Sequence, residues 1–231
     1  MKLIGLLGGT SWPSTFGYYE ILNRAANERF GGYHSARILL SSIDYHPIKS
    51  LYPNGWDAIQ NLLAQEILFL VDRKPDCLIV GNNTLHKALD PLLERLNLPV
   101  PVFHAGRLAA EEAVRAGYAS VLLVGTPFTM EDGFFAKYFE DQGVTVVIPT
   151  PEDRARIKTW HTQLAKGIVS PACVEDLSVI LTRYPQVDAV VLGCTELPLA
   201  IREDTSPKPL INPVLCQCAA AARFAFDEAT S

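Results

Sequence analysis

Leu6-Leu7-Gly8-Gly9-Thr10-Ser11, near the N-terminus, returns in altered form as Leu123-Val124-Gly125-Thr126-Pro127. Leu78-Ile79-Val80-Gly81-Asn82-Asn83-Thr84 returns as Val190-Val191-Leu192-Gly193-Cys194-Thr195. Each of the four is a short apolar run that stops at glycine and passes into small polar residues opening a helix. The spacing is far longer than any solenoid repeat, so the echo predicts two similar lobes, each with two such strands. Ligands of open α/β sheets bind beyond the carboxyl ends of strands. The four polar strand ends therefore predict an active site in the interlobe cleft.

Working outward, further short runs rich in Leu, Ile and Val alternate with stretches of helical period, which predicts an α/β fold with mainly parallel sheets. The strand candidates are Lys2–Leu7, Ala36–Ser41, Asp76–Val80, Val100–Phe103, Ser120–Val124, Val144–Ile148, Val187–Leu192 and Pro209–Ile211. They are continuous apolar runs, as expected of strands covered on both faces. Trp56, Ile59, Leu62, Leu63, Ile67 and Leu70 form one helical stripe. Thr150-Pro151 and Ser170-Pro171 pair a capping hydroxyl with a proline suited to the first helical position. Gly117, Gly143 and Gly167 mark helix ends. The expected architecture is two pseudo-symmetric lobes, each a mainly parallel sheet flanked by helices. Residues 1–100 with about 211–231 form the first lobe and residues 101–210 the second. Tyr45 to Gly55, with Pro47, Pro53 and Asn54, has the composition of a mobile stretch.

The chain has 231 residues, 48% hydrophobic and 19% charged, enough for a sizeable core. That excludes disordered, collagen-like and disulfide-scaffold classes. The net charge of −5, with no basic stripe, argues against a nucleic-acid partner. Apolar runs of five or six residues are too short to span a membrane, and Leu3 to Leu7 is too short for a signal-peptide core. Five cysteines form no paired framework and no C-x-x-C, which favours reduced thiols and a cytoplasmic location.

The first Gly-rich turn lacks the third glycine of a dinucleotide fingerprint, and no phosphate-binding G-x-x-x-x-G-K-[ST] occurs. The five histidines show no ligand spacing and read as surface or satisfied structural residues, so no metal is expected. Gly193-Cys194-Thr195-Glu196 stands apart. Cys194 sits where a buried strand ends and a helix begins, so helix-terminal N–H groups can lower its thiol pKa and bind an anion. Glu196 can hold a proton-transfer partner or a substrate ammonium. Cys77, Cys173, Cys216 and Cys218 read as structural.

These stretches also carry a resemblance. Gly8-Gly9-Thr10-Ser11-Trp12-Pro13-Ser14-Thr15 with Tyr18-Tyr19, Asn83-Thr84-Leu85-His86, Gly125-Thr126-Pro127-Phe128-Thr129-Met130 and Leu192-Gly193-Cys194-Thr195-Glu196-Leu197 resemble the aspartate/glutamate racemase superfamily. The likeness runs in order from Gly8 to about Ile211. It implies a cofactor-independent enzyme of two pseudo-symmetric lobes, acting by proton transfer at the α-carbon of a small amino acid or carboxylate. In the family two cysteines face opposite sides of that carbon. Without a pyridoxal electron sink, carbanionic charge must be met by aimed hydrogen bonds. The resemblance makes Cys194 one acid/base. It gives Thr10, Asn83, Thr84 and Thr195 the substrate carboxylate, and Thr126 the same cleft. It matches Lys166, in Leu164-Ala165-Lys166-Gly167, to a lysine that meets an acidic substrate's second carboxylate. A homodimer is compatible with it.

The chain departs from the pattern twice. Asn82 stands where the family usually has its first cysteine, and asparagine hydrogen-bonds but does not exchange a proton near neutrality. Some relatives have threonine there and still racemise. Asn212 and Gln217 are neutral where the family often carries ionisable residues. Three readings stay open. One is a racemase or epimerase, with Asn82 or a water it holds serving the second face. Another is a one-cysteine decarboxylase or isomerase, with Asn82 stabilising an enediolate. The third is a non-catalytic carboxylate binder.

Overall fold

The computed structural model describes residues 1–227, which form two compact α/β units. One comprises Met1–His104 with the chain from Gln217; the other comprises Ala105–Cys216.

In the first unit the order is β1 (Ile4–Gly8), α1 (Trp12–Phe30), β2 (Ile38–Ser42), α2 (His46–Lys49), α3 (Trp56–Val71), β3 (Cys77–Val80) and α4 (His86–Leu96). The three strands are parallel, with β1 between β2 and β3. Side chains alternate across a strand, so Leu7, Leu78 and Val80 pack with Ile59, Leu63 and Ile67 of α3 and Ala88, Leu89 and Leu92 of α4. The helical stripe expected from Trp56 onward is α3, with Ile59, Leu63, Ile67 and Leu70 buried along it. Val100–Phe103 makes only a single bridge, Leu78 to Val102. Leu78 donates to the Pro101 carbonyl and Phe103 donates to Leu78, but Pro101 has no N–H with which to extend a ladder. The stretch from Tyr45 to Gly55 is packed: Ile48 is buried, and Leu51 and Tyr52 lie against the same core.

The second unit runs α5 (Ala105–Arg115), β4 (Ser120–Gly125), α6 (Pro127–Glu131), α7 (Phe134–Glu140), β5 (Thr145–Val147), α8 (Pro151–Leu164), α9 (Pro171–Thr182), β6 (Ala189–Gly193) and β7 (Leu210–Ile211). The helix α10 (Pro213–Phe226) begins there and carries the chain back to the first unit. The sheet is parallel in the order β5-β4-β6-β7, and β4 stands between β5 and β6 as β1 stands between β2 and β3. Both faces are covered. Leu122, Val124, Val190 and Leu192 pack with Ile157, Leu164, Leu177 and Ile180 of α8 and α9. Val121, Leu123, Ala189 and Val191 pack with Ala109, Ala113, Phe135 and Phe139 of α5 and α7. The hydroxyls of Thr150 and Ser170 accept from the backbone N–H of Asp153 and Cys173, capping α8 and α9 at the two Thr/Ser-Pro sites. None of the described helices is long and apolar enough to cross a membrane.

The two neutral residues near the C-terminus have structural partners. Asn212 Oδ1 accepts from Val214 N, and the Asn212 carbonyl accepts from Cys216 N, so Asn212 caps α10. Gln217 is fully buried: its amide donates to the Phe103 carbonyl at 2.7 Å, and its Oε1 accepts from the buried Tyr18 hydroxyl at 2.5 Å. A satisfied buried amide of this kind is costly to remove, because its partners are left in apolar surroundings. Gln217→Met, which keeps volume and deletes these bonds together with a longer one to the Val80 carbonyl, is expected to lower unfolding free energy by about 2–4 kcal/mol. Tyr18→Phe should cost about 1 kcal/mol. Urea unfolding of both variants measures this, and a loss below about 1 kcal/mol for Gln217→Met would mean the amide is not a structural tie.

Candidate active site

Each unit gathers small polar residues at the carboxyl ends of its central strands. In the first unit β1 ends at Gly8 and turns through Gly9, whose φ of +84° is left-handed. A Cβ on Gly9 would meet the Ile43 carbonyl oxygen at 2.3 Å, so only glycine fits. Thr10 Oγ1 donates to the Gly81 carbonyl at 3.1 Å, tying the turn after β1 to the turn after β3. Within these turns two buried side chains have no hydrogen-bond partner among the described residues: Ser11 through Oγ, and Asn83 through both Oδ1 and Nδ2. Asn83 is only 3% exposed. A buried amide with neither end satisfied is unusual, and here it lies where a strand end meets a helix start. Thr84 is buried in the same turn.

Asn82 is held differently. Its Oδ1 accepts from Leu85 N at 2.9 Å, capping the turn that leads into α4, and its carbonyl oxygen lies 2.8 Å from Nδ1 of the buried His86. That contact places the His86 proton on Nδ1. With its oxygen committed, Asn82 has its NH2 group to offer, which has no partner among the described residues. The residue at this position is a hydrogen-bond donor by local geometry as well as by chemistry.

In the second unit Gly125 and Gly193 are register partners at the ends of β4 and β6, so Thr126 and Cys194 leave the sheet side by side. Thr126 caps α6 by accepting from Thr129 N, and its hydroxyl contacts Thr129 Oγ1 at 3.0 Å. Cys194 is 3% exposed and Glu196 is 6% exposed. The Cys194 thiol donates to Glu196 Oε2 at 2.7 Å, Thr195 Oγ1 donates to the same oxygen at 3.1 Å, and His161 Nε2 of α8 lies 3.7 Å from it. Lys166 lies just beyond α8, exposed and without an ion pair among the described residues.

Local electrostatics differ from the expectation of a helix-activated thiol. The segment after Cys194 forms only a three-residue 3₁₀ turn, Leu197–Leu199. Backbone N–H groups of Glu196 and Leu197 do favour a thiolate, but burial and the Glu196 carboxylate outweigh them and push the Cys194 pKa well above the usual thiol value. Cys194 is therefore a protonated acid hydrogen-bonded to a carboxylate able to take its proton. By contrast, Cys77 is pushed up to about 12, mainly by burial with the Asp76 charge adding to it, and is structural.

Two residues of these clusters, His161 and Ser11, were not singled out by sequence reasoning. His161 comes from a different helix and reaches Glu196 only through tertiary packing of α8, so no spacing marks it. Ser11 stood in the quoted Gly8-Gly9-Thr10-Ser11 turn, which was its one available signal.

Residues 7–224 match the Asp/Glu/Hydantoin racemase family. The chain belongs to that family. It is 30% identical to a Yersinia pestis protein classed with the Asp/Glu racemases, covering 98% of this chain and all of that one, with a TM-score of 0.86. An aspartate racemase homologue from Pyrococcus horikoshii OT3 is 27% identical, with 98% of this chain and all of that one covered, at a TM-score of 0.84. A glutamate racemase of Limosilactobacillus reuteri is 26% identical over 148 residues, covering 64% of this chain. That match spans about half, 54%, of the curated relative's own length.

Because the Glu196 charge holds the Cys194 thiol protonated, Glu196→Gln should lower the thiol pKa and speed alkylation. A drop of one pKa unit gives about tenfold more thiolate at a fixed pH below the pKa. Iodoacetamide labelling at pH 8, with Cys194 quantified by peptide mass spectrometry, is expected to run at least about threefold faster in the variant. An unchanged or slower rate would mean that the carboxylate does not control the thiol.

Proposed function

We propose that this protein interconverts the enantiomers of a small amino acid by moving the α-proton, without a cofactor, and that Cys194 serves one face of the substrate. The buried Cys194–Glu196 hydrogen bond of 2.7 Å is the observation that carries this reading. A thiol must be deprotonated to take an α-proton, and a buried one needs an adjacent base. Glu196 accepts the thiol proton, the thiolate then removes the α-proton, and reversal of these transfers returns a proton to carbon on that face. Thr195 steadies the carboxylate. His161, near the same oxygen, acts as a positioning residue.

In this reading the first unit supplies donors. Asn83 and Ser11, buried with unused hydrogen-bonding capacity, meet the substrate carboxylate, with Thr10 and Thr84 completing the turn; Thr126 is a further substrate-binding candidate. Donors aimed at the carboxylate stabilise the charge that develops when the α-proton leaves. Lys166 meets the side-chain carboxylate of an acidic substrate, aspartate or glutamate. The second face falls to a water held by the Asn82 amide, which gives one proton to the carbanion, the hydroxide left behind being re-protonated by solvent. Five free thiols suit a reducing cytoplasm.

One observation favours a second reading. The Asn82 oxygen already accepts from Leu85 N in the turn before α4, while its amide NH2 is a donor with no partner among the described residues. A donor fixed there suits stabilisation of an enediolate, with Cys194 protonating it from one side only, as in a decarboxylase or isomerase of a small carboxylate.

Proton NMR of single enantiomers of aspartate and glutamate in D2O, with products resolved by chiral chromatography, distinguishes the two. Loss of the α-proton with inversion, abolished in Cys194→Ala, is the expected result. Exchange with retention would transfer the assignment to one-sided chemistry, and exchange that persists undiminished in Cys194→Ala would remove Cys194 from the mechanism. For Lys166→Ala, KM for acidic substrates should rise about tenfold, the equivalent of 1.4 kcal/mol, with little change for neutral amino acids. Equal effects on both classes would end the Lys166 assignment.

A further inference from the structure

His161, Cys194 and Glu196 present one nitrogen, one sulfur and one oxygen, all within 4.8 Å of one another. The geometry points to a site for a borderline-soft divalent cation such as Zn2+, bound by these three side chains with a fourth position left open.

Three protein ligands with an open fourth position is the arrangement zinc adopts in reactive sites. Preferred bond lengths are about 2.3 Å to sulfur and about 2.0–2.2 Å to nitrogen and oxygen, which puts tetrahedral ligand atoms about 3.3–3.6 Å apart. The His161 Nε2 to Glu196 Oε2 separation of 3.7 Å already matches this. The 2.7 Å contact between Cys194 Sγ and Glu196 Oε2 has to open by less than about 1 Å on tetrahedral geometry, and the remaining separations lie within 4.8 Å. Deprotonated Cys194 and ionised Glu196 neutralise the cation, while the thiolate discriminates against Mg2+ and Ca2+.

The ligands are also held in place before any ion arrives. Cys194 and Glu196 are almost wholly buried at the end of β6. His161 rides on α8, which Thr150 caps and which Trp160 and Arg156 tie to Asp176 of α9. The His161 side chain remains about one-fifth exposed, giving a route in. Binding replaces the thiol proton: Cys194–SH and the cation give a Cys194–S–metal bond and one proton released to solvent. The binding step does not rest on the proposed racemisation. If that reading holds, the cation occupies the thiol that the reaction uses, and inhibition reversed by a chelator follows.

Cobalt(II) titration of the full chain tests the site, because cobalt replaces zinc in such sites and reports a bound thiolate by a near-ultraviolet charge-transfer band. Expected are a band saturating at one equivalent, its removal by Zn2+ but not by Mg2+, and about one proton released per Zn2+ bound. His161→Ala should weaken binding at least about tenfold, and Cys194→Ser should abolish the band. Absence of the band at millimolar cobalt overturns the site using the unmodified protein alone. A band of unchanged affinity in His161→Ala, or one that survives in Cys194→Ser, would place the ion elsewhere and overturn it equally. Metal binding without turnover on any amino acid would support the site and count against the racemase reading. Turnover without metal binding would do the reverse.

Discussion

The polar residues at the strand ends are positioned by tight packing at four glycines. Strands β1, β4 and β6 end on Gly8, Gly125 and Gly193, and Gly81 directly follows β3. At each a side chain would press on its neighbours, hardest at Gly8 and Gly193. A Cβ on Gly8 would meet Thr15 Cγ2 at 2.5 Å, one on Gly81 the Leu7 carbonyl at 3.1 Å, one on Gly125 the Gly193 backbone at 3.0 Å, and one on Gly193 both Leu123 and Thr129 at 2.8 Å. Glycine lets neighbouring strand ends and the following helices close together. The next residues, Thr10 and Ser11, Asn82 and Asn83, Thr126, and Cys194, therefore leave their sheets at the same level within each unit.

Within the second unit, the balance at Cys194 follows from competing electrostatic effects. Two backbone N–H groups favour the thiolate, while burial and Glu196 disfavour it, and the latter pair prevail. A thiol stored as an acid beside a carboxylate is a different device from a thiolate held ready by a helix dipole. Its proton has a defined acceptor 2.7 Å away, and the cost of ionising the sulfur is met only when that acceptor takes the proton. In the first unit the notable feature is unused capacity: Asn83 and Ser11 are buried with polar atoms that have no partner among the described residues, which is costly in apolar surroundings.

The three amides Asn82, Asn212 and Gln217 separate into kinds. Gln217 ties Tyr18 and Phe103, and Asn212 caps α10, so both have structural work that accounts for them without a change of substrate. Asn82 holds the turn into α4 through its oxygen, and its amide NH2 has no partner among the described residues.

The α/β class, the two-fold repetition and the residues at the strand ends were legible in the order of residues. Those depend on local effects: apolar runs of strand length, glycine where backbones crowd, and Thr150 and Ser170 placed to cap helices beginning at proline. That order also singled out Cys194 and Glu196, because two reactive groups stood together where apolar residues would continue a buried element. Tertiary structure alone decided what depends on distance through space. It reduced Val100–Phe103 to a single bridge, because Pro101 has no donor to extend the ladder, and it packed the Tyr45 to Gly55 stretch through Ile48 and Leu51 despite its turn-rich composition. It brought His161 from α8 to Glu196, and it set the sign of the thiol shift, since burial and the reach of one carboxylate are properties of the folded chain that no spacing encodes.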